Sequence, residues 1–221
     1  MQSSIRRNSI LLGLFAVLTT NIIAGTYLGT RDKIAESQRR AQEKALLEIV
    51  PLERHNNSML DDSIVVGPQA EGLGLRADKK IYVARQDGTA VAVILPVTAP
   101  DGYSGDIDLI VGINGDGSVA GVRALAHKET PGLGDKVDLK KSGWVLGFNG
   151  RSLANPLPDY WKVKKDKGVF DQFTGATITP RAVTAAVRRG LEYFHANRAQ
   201  LLAPPAAEDM ATAKPAEDKH G

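Results

Sequence analysis

Polarity along the chain changes period three times. Ile10 to Leu28 is an almost unbroken apolar run of 19 residues without a charged side chain; Thr19, Thr20, Asn21 and Thr26 are its polar members. As a helix it reaches about 28 Å, close to the hydrocarbon thickness of a bilayer. A cleaved signal peptide has a shorter apolar core and a small-x-small exit, for which Ala24-Gly25-Thr26 is a poor match. Residues 1–30 are therefore predicted to be a short stub and a retained transmembrane helix, with a cleaved signal as the weaker reading. From Asp32 to Val50 the period is helical: Ile34, Ala41, Ala45 and Ile49 share one face, interrupted by Gln38, and the charges lie mostly elsewhere. This predicts an amphipathic stalk helix over 31–50, ended by Pro51.

After a mixed, turn-rich stretch from Leu52 to Arg76, the period falls to two. Ile81–Ala84 and Val91–Leu95 flank Asp87-Gly88 and read as a β-hairpin. Gly105–Ile113 and Val119–Leu125 flank Asn114-Gly115-Asp116-Gly117 and read as a second; Asp106 and Asp108 alternate with Ile107 and Leu109, as in a half-buried strand. Residues 137–148 suggest a short helix with Trp144 and Phe148 one turn apart, aromatics better suited to the core than to a ligand. Pro180 to Leu202 carries the clearest helical stripe, Val183, Val187, Leu191 and Phe194, weakened by Gly190. Residues 204–221 are mostly Ala, Pro, Lys, Glu and Asp without periodicity, and a disordered tail is expected.

Composition removes several classes of function. The 221 residues suffice for one sizeable domain with extensions. A net charge of +3 gives no argument for nucleic acid. With no cysteine there is no disulfide framework, thiolate metal site or cysteine-held iron–sulfur cluster. His55, His127, His195 and His220 lack ligand spacing, so a redox role would need an organic cofactor. Basic residues stand on both sides of the apolar run, so the positive-inside count leaves its orientation open.

Two loops carry candidate chemistry. One is Asp171-Gln172-Phe173-Thr174-Gly175-Ala176-Thr177, followed at once by Ile178-Thr179-Pro180 and the last helix. Thr179 suits an N-cap and Pro180 the first helical position. Small residues let backbone amides approach an anion, and the positive end of the helix dipole favours phosphate there. An ordinary capped helix behind a tight turn has the same local composition. The other loop, His127-Lys128-Glu129-Thr130-Pro131-Gly132-Leu133-Gly134-Asp135-Lys136, is a Gly/Pro-shaped loop at a strand end, a place where binding groups are often set. Its bland alternative is a surface turn with incidental charges.

The wording of both loops resembles the covalent-FMN-binding domain family. Asp-x-x-(Ser/Thr)-Gly-Ala-Thr is similar to the motif at which a flavin transferase joins FMN, through its phosphate, to the hydroxyl of the last Thr. HKETPGLGDK resembles the signature loop shared by the RnfG subunit of Rnf (Rsx) electron transport complexes and the related flavoprotein subunit of the sodium-translocating NADH:quinone reductase. Lys128, the Asp135-Lys136 ending and the lead-in Asp159–Lys165 look like the Rnf version. The resemblance runs from the apolar span to about Leu202.

The resemblance implies an α+β fold: an N-terminal transmembrane helix, then an FMN-binding domain of antiparallel β-hairpins packed with helices over 51–203. It implies Thr177 as the phosphodiester acceptor, Thr174, Gly175 and Ala176 as its loop, and Asp171 as a recognition residue for the transferase. His127, Glu129, Thr130, Leu133 and Gly134 would lie beside the isoalloxazine. Among these, Glu129 and Thr130 are candidates for ring or ribityl contacts, and the amides of Leu133, Gly134 and Gly175 for hydrogen bonds. Lys128 or Lys136 would stabilise negative charge on a reduced flavin. The implied role is an inner-membrane electron carrier with a periplasmic domain, linking ferredoxin/NAD electron flow to ion transport. Its partners would be the other complex subunits, the flavin transferase during maturation, and lipid. The alternatives are the quinone-reductase flavoprotein subunit and a membrane-anchored flavin-binding sensor or scaffold.

Overall fold

A computed structural model describes residues 2–204; the tail expected over 204–221 lies, from 205 on, outside the described residues. The chain divides into two compact units, residues 1–44 and 45–221. One helix, α1 (Gln2–Leu47), begins in the first and ends in the second, so the apolar and the amphipathic periods continue without a break.

Within the first unit, Arg6–Arg31 is long and apolar enough to cross a membrane, with a mean hydropathy of 1.8. Three of its polar members bond within the helix. The Thr19 hydroxyl donates to the Phe15 carbonyl at 2.9 Å, the Asn21 amide to Val17 at 2.8 Å and the Thr26 hydroxyl to Ile22 at 2.8 Å. Such bonds to the preceding turn let a polar side chain stand in hydrocarbon without an orphaned donor.

The second unit is a five-stranded antiparallel meander in the order β1-β2-β3-β4-β5: β1 (Ser63–Val66), β2 (Lys79–Gln86), β3 (Thr89–Gly102), β4 (Gly105–Asn114) and β5 (Val119–Ala126). Both predicted hairpins form. Asp87 and Gly88 turn the first with φ of 51° and 79°, the doubly positive pair that a two-residue turn requires. The edge strand β1 falls in the stretch where the pattern gave no assignment. β3 is longer than predicted, because it continues through Pro96. Its pairing with β2 stops at Ile94↔Tyr82. Thr98, two residues on and pointing the same way, sends its N–H to the Leu73 carbonyl at 2.8 Å. The donor that Pro96 lacks would point to this already vacated side, so the proline costs no ladder bond.

Each face of the sheet has its own cover. On one lies α2 (Ile178–Leu201); Val183, Val187, Leu191 and Phe194 are fully buried in one cluster with Val93, Leu95, Val97 and Val111. The other face packs against Leu46 in the last turn of α1 and against Ile49 and Val50 just beyond it. There the cross-strand pair Gly112↔Gly121 leaves a hollow for Ile49, whose Cγ2 occupies the space that a Gly112 Cβ would need.

Gly190 is explained by close approach. A Cβ there would lie 3.2 Å from Val97 Cγ2, so the glycine lets α2 settle onto β3. Gly190→Leu is expected to cost about 1–3 kcal/mol by overpacking, read as a lower denaturation midpoint. Gly190→Ala is expected to be nearly neutral, its helix-propensity gain of about 1 kcal/mol offsetting the squeeze.

Residues 127–177 hold little regular structure and are fixed by aromatic packing. The predicted helix over 137–148 is instead two 3-10 turns, Gly134–Val137 and Gly143–Phe148. Phe148 packs on Phe170 at 4.6 Å between ring centroids and stacks on Trp161 at 6.2 Å; Trp144 meets Phe148 and Phe173 edge-on at 5.2 and 5.0 Å. Trp144 Nε1 also donates to the Asp171 carbonyl at 2.8 Å. The cluster therefore grips both ends of the segment that delivers residues 171–177 to the start of α2.

Candidate functional site

A cavity of about 330 Å3 opens where three segments meet. Tyr103 comes from the β3–β4 turn, Glu129, Thr130, Leu133 and Gly134 from the loop after β5, and Gly175 to Thr179 from the start of α2. The two loops singled out in the sequence, far apart in the chain, thus form facing walls.

Each wall is shaped locally. The Thr130 carbonyl accepts the N–H groups of Leu133 and Gly134 at 3.1 Å each, and Asp135 Oδ1 accepts that of Gly132 at 2.8 Å. On the other side, the Ala176 N–H closes a tight turn onto the Phe173 carbonyl at 3.2 Å. Gly175 sits in that turn at φ 80°, a conformation that a side chain would strain. Leu133 Cδ2 lies 3.5 Å from where a Gly175 Cβ would be, so the two loops touch.

Glu129 ties all three segments together. It is 5% exposed. Its Oε1 accepts the Ser104 N–H at 2.9 Å, and its Oε2 accepts the Thr179 hydroxyl. This corrects the expectation that Thr179 caps the last helix. The helix begins at Ile178 with Thr177 at the N-cap position, Thr179 is fully buried in the first turn, and Pro180 follows as the third helical residue. The side-chain acceptor that settles Thr179's role lies 50 residues away, where local residue types give no hint of it.

Thr177 lines the cavity and makes no side-chain capping bond. It stands below a helix of 24 residues in which the Ile178 and Thr179 N–H groups have no intrahelical acceptor; Pro180 has no N–H, and the Arg181 N–H bonds to the Thr177 carbonyl at 3.3 Å. The other predicted residues divide. Glu129, Thr130, Leu133, Gly134, Gly175 and Ala176 line the cavity with Thr177. His127, Asp171 and Thr174 are outside its lining. His127 Nδ1 accepts the Glu129 N–H at 3.2 Å and so shapes the loop from behind. Asp171 pairs with Lys164 at 2.6 Å on the surface, and Thr174 is exposed in the turn. Lys128 and Lys136 are likewise outside the lining. Tyr103, Ile178 and Thr179 complete the walls and were not singled out as cofactor-binding. Tyr103 carries no motif signal, whereas Ile178 and Thr179 directly follow the 171–177 motif.

Arg181, in the first turn of α2, forks onto Asp166 with contacts of 2.5 and 2.6 Å. The hydrogen bond from Arg181, aided by its charge, holds the Asp166 carboxyl below its ordinary range. A folded pKa below the unfolded one stabilises above the unfolded value, and the gain is lost as pH falls through the folded value. Asp166→Asn is therefore expected to melt slightly below wild type at pH 7. The gap closes below about pH 4. Thermal melts over a pH series check this.

Comparison with known proteins decides the family. A model described as "FMN-binding domain" matches residues 102–192, and one described as "RnfG N-terminal region" matches residues 1–49. The G subunit of an ion-translocating oxidoreductase complex from Pseudomonas aeruginosa is 52% identical over 205 residues, covering 92% of this chain and 95% of the relative. The proteins of that name from Shewanella loihica and Vibrio cholerae are 48% and 44% identical, each alignment covering 93% of this chain and 97% of the relative. The chain belongs to the RnfG family of ion-translocating oxidoreductase complex subunits. It contains an FMN-binding domain, and Arg6–Arg31 is the stretch suited to anchor it in a membrane.

The cavity fits an FMN. Its volume lies within the roughly 300–1,000 Å3 of small-molecule sites. Leu133, Ala176, Ile178 and Tyr103 offer apolar surface for a flat ring; Ile178 is 46% and Leu133 42% exposed at the mouth. The unpaired amides at the start of α2 suit a phosphate beside the Thr177 hydroxyl.

Proposed function

We propose that the protein is a membrane-anchored electron carrier whose FMN is joined by a phosphodiester to Thr177, working within an Rnf-type ion-translocating oxidoreductase. The observation that carries this is the separation of three threonines around one helix start. Thr174 is exposed outside the cavity, and the Thr179 hydroxyl is taken by Glu129. Thr177 lines the cavity at the helix start, its hydroxyl free of any capping bond. That is the acceptor the motif resemblance also selects.

Bound FMN supplies electron transfer, one or two electrons at a time. The chain's own part is binding and placement. The start of α2 holds the phosphate by its amides and dipole. Leu133 and Ile178 flank the ring and exclude water, while Glu129 keeps the three walls together. Thr130 provides a hydroxyl and Gly175 backbone polar groups at the wall, whereas the expected amide donors of Leu133 and Gly134 are already spent on the Thr130 carbonyl. A covalent tether prevents loss of the cofactor from a periplasmic domain, and the same reading places α1 as a single pass through the inner membrane. Ion movement, and exchange with ferredoxin or NAD, belong to polytopic and iron–sulfur or flavin partner subunits. The flavin transferase acts once, in maturation, with Asp171 exposed for recognition.

The test is purification from membranes of cells that carry the whole complex and an active transferase. Flavin fluorescence that stays with this chain after denaturation, together with co-purifying complex subunits, is expected. Colour lost on denaturation would favour the anchored sensor or scaffold. Covalent colour with quinone-reductase partners would move the chain to the corresponding role in that enzyme.

A further inference from the structure

The charge lining the cavity is negative, where the sequence pointed to lysines. Of the ten lining residues, Glu129 alone carries a carboxyl group, and none carries a basic side chain. Its hydrogen-bond partners, the Ser104 N–H and the Thr179 hydroxyl, are neutral donors, and an ionised carboxylate is acceptor-only. Two glycines keep room for it from opposite segments. A Cβ on Gly134 would lie 2.5 Å from Glu129 Oε2, and one on Gly102 3.0 Å from Oε1.

We propose that Glu129 sets the reduction potential of the flavin held at Thr177, keeping it low by placing a fixed negative charge in the cavity wall. This rests on the reading that FMN occupies this cavity. Each electron added beyond the protons taken up brings negative charge into the site. A buried carboxylate in a wall from which water is excluded opposes that charge far more strongly than a solvated one. Lys128, exposed and outside the lining, acts through water and is screened by salt.

The experiment is a spectroelectrochemical titration of the full-length, flavin-loaded protein in detergent. Glu129→Gln removes the charge, while its carbonyl can still accept from Ser104 and its amide can still reach the Thr179 hydroxyl. A shift to higher potential is expected, and it persists in high salt. Glu129→Asp keeps the charge but is one methylene too short for both bonds; a potential near wild type is expected. Lys128→Gln is expected to give a small downward shift that vanishes in high salt. Should Glu129→Gln fail to take up flavin, Ile178→Lys serves instead. It adds an opposite charge at the exposed mouth without touching either Glu129 bond, and is expected to raise the potential. An unchanged potential in loaded Glu129→Gln, or in Ile178→Lys where that variant stands in, overturns the proposal. Equal shifts in the Gln and Asp variants overturn it too, since they would make the role one of shape alone. Wild-type protein without flavin on Thr177 would instead sink the underlying reading, and this proposal with it.

Discussion

Thr177→Ala is expected to give a folded protein that carries no covalent flavin. The substitution removes the hydroxyl at the helix start that the motif selects, so the expected loss is complete. Its effect on the fold should be small. Thr177 makes no side-chain capping bond, so no existing interaction is deleted, and a change within about 0.5 kcal/mol is expected. Fluorescence of the denatured chain on a gel reads the first quantity, and a thermal melt of the unloaded protein the second. Thr174→Ala, in the exposed turn, is expected to keep the flavin. Covalent flavin surviving in Thr177→Ala would contradict the assignment of the acceptor.

Gly134→Val is expected to disable the site by a different route. A Cβ at this position would lie 2.5 Å from Glu129 Oε2, 2.8 Å from Thr179 Oγ1 and 2.9 Å from Glu129 Cβ. The Glu129–Thr179 bond, which joins the loop after β5 to α2, cannot survive that intrusion unchanged. Overpacking of this kind typically costs about 1–3 kcal/mol, and more where a buried charge loses a partner. The expected results are a lower denaturation midpoint and loss of flavin attachment together. Gly147→Ala is the matched control, since an added Cβ there meets nothing within 4 Å. It should change neither quantity appreciably. A Gly134→Val protein of wild-type stability and full flavin content would mean that the Glu129 clasp is dispensable.

The parts of the fold legible in the sequence are those set by local periodicity. Asp87-Gly88 between alternating apolar residues announces its hairpin, because the two-residue turn needs two positive φ values. The buried stripe of α2 follows directly from its 3.6-residue spacing. Four-residue β1 was not legible, since its pairing to β2 is decided across the sheet and its own length is too short to show a period. Likewise, Pro96 reads as a strand end until the departure of β2 from that side of β3 is known.

The candidate site divides along the same line. The structure brings both of its loops together around one cavity, and both could be read as motifs from residue identity and order. The electrostatics could not. Lys128 and Lys136 flank the motif and suggest positive charge, yet the strand exit and the turn at Thr130 leave them out of the lining and place Glu129 in it. Nor could the role of Thr179 be read. Ser, Thr, Asp and Asn at a helix start usually signal a cap. Here the hydroxyl instead finds a carboxylate brought from another loop, while Thr177 at the N-cap position makes no side-chain capping bond.

The most direct measurement is peptide mass spectrometry on the full-length protein co-expressed with an active flavin transferase. The account predicts that the peptide containing Thr177 gains the mass of an FMN phosphodiester, with fragment ions placing it on Thr177 rather than Thr174 or Thr179. An unmodified peptide, while the same transferase loads a control substrate, would contradict it.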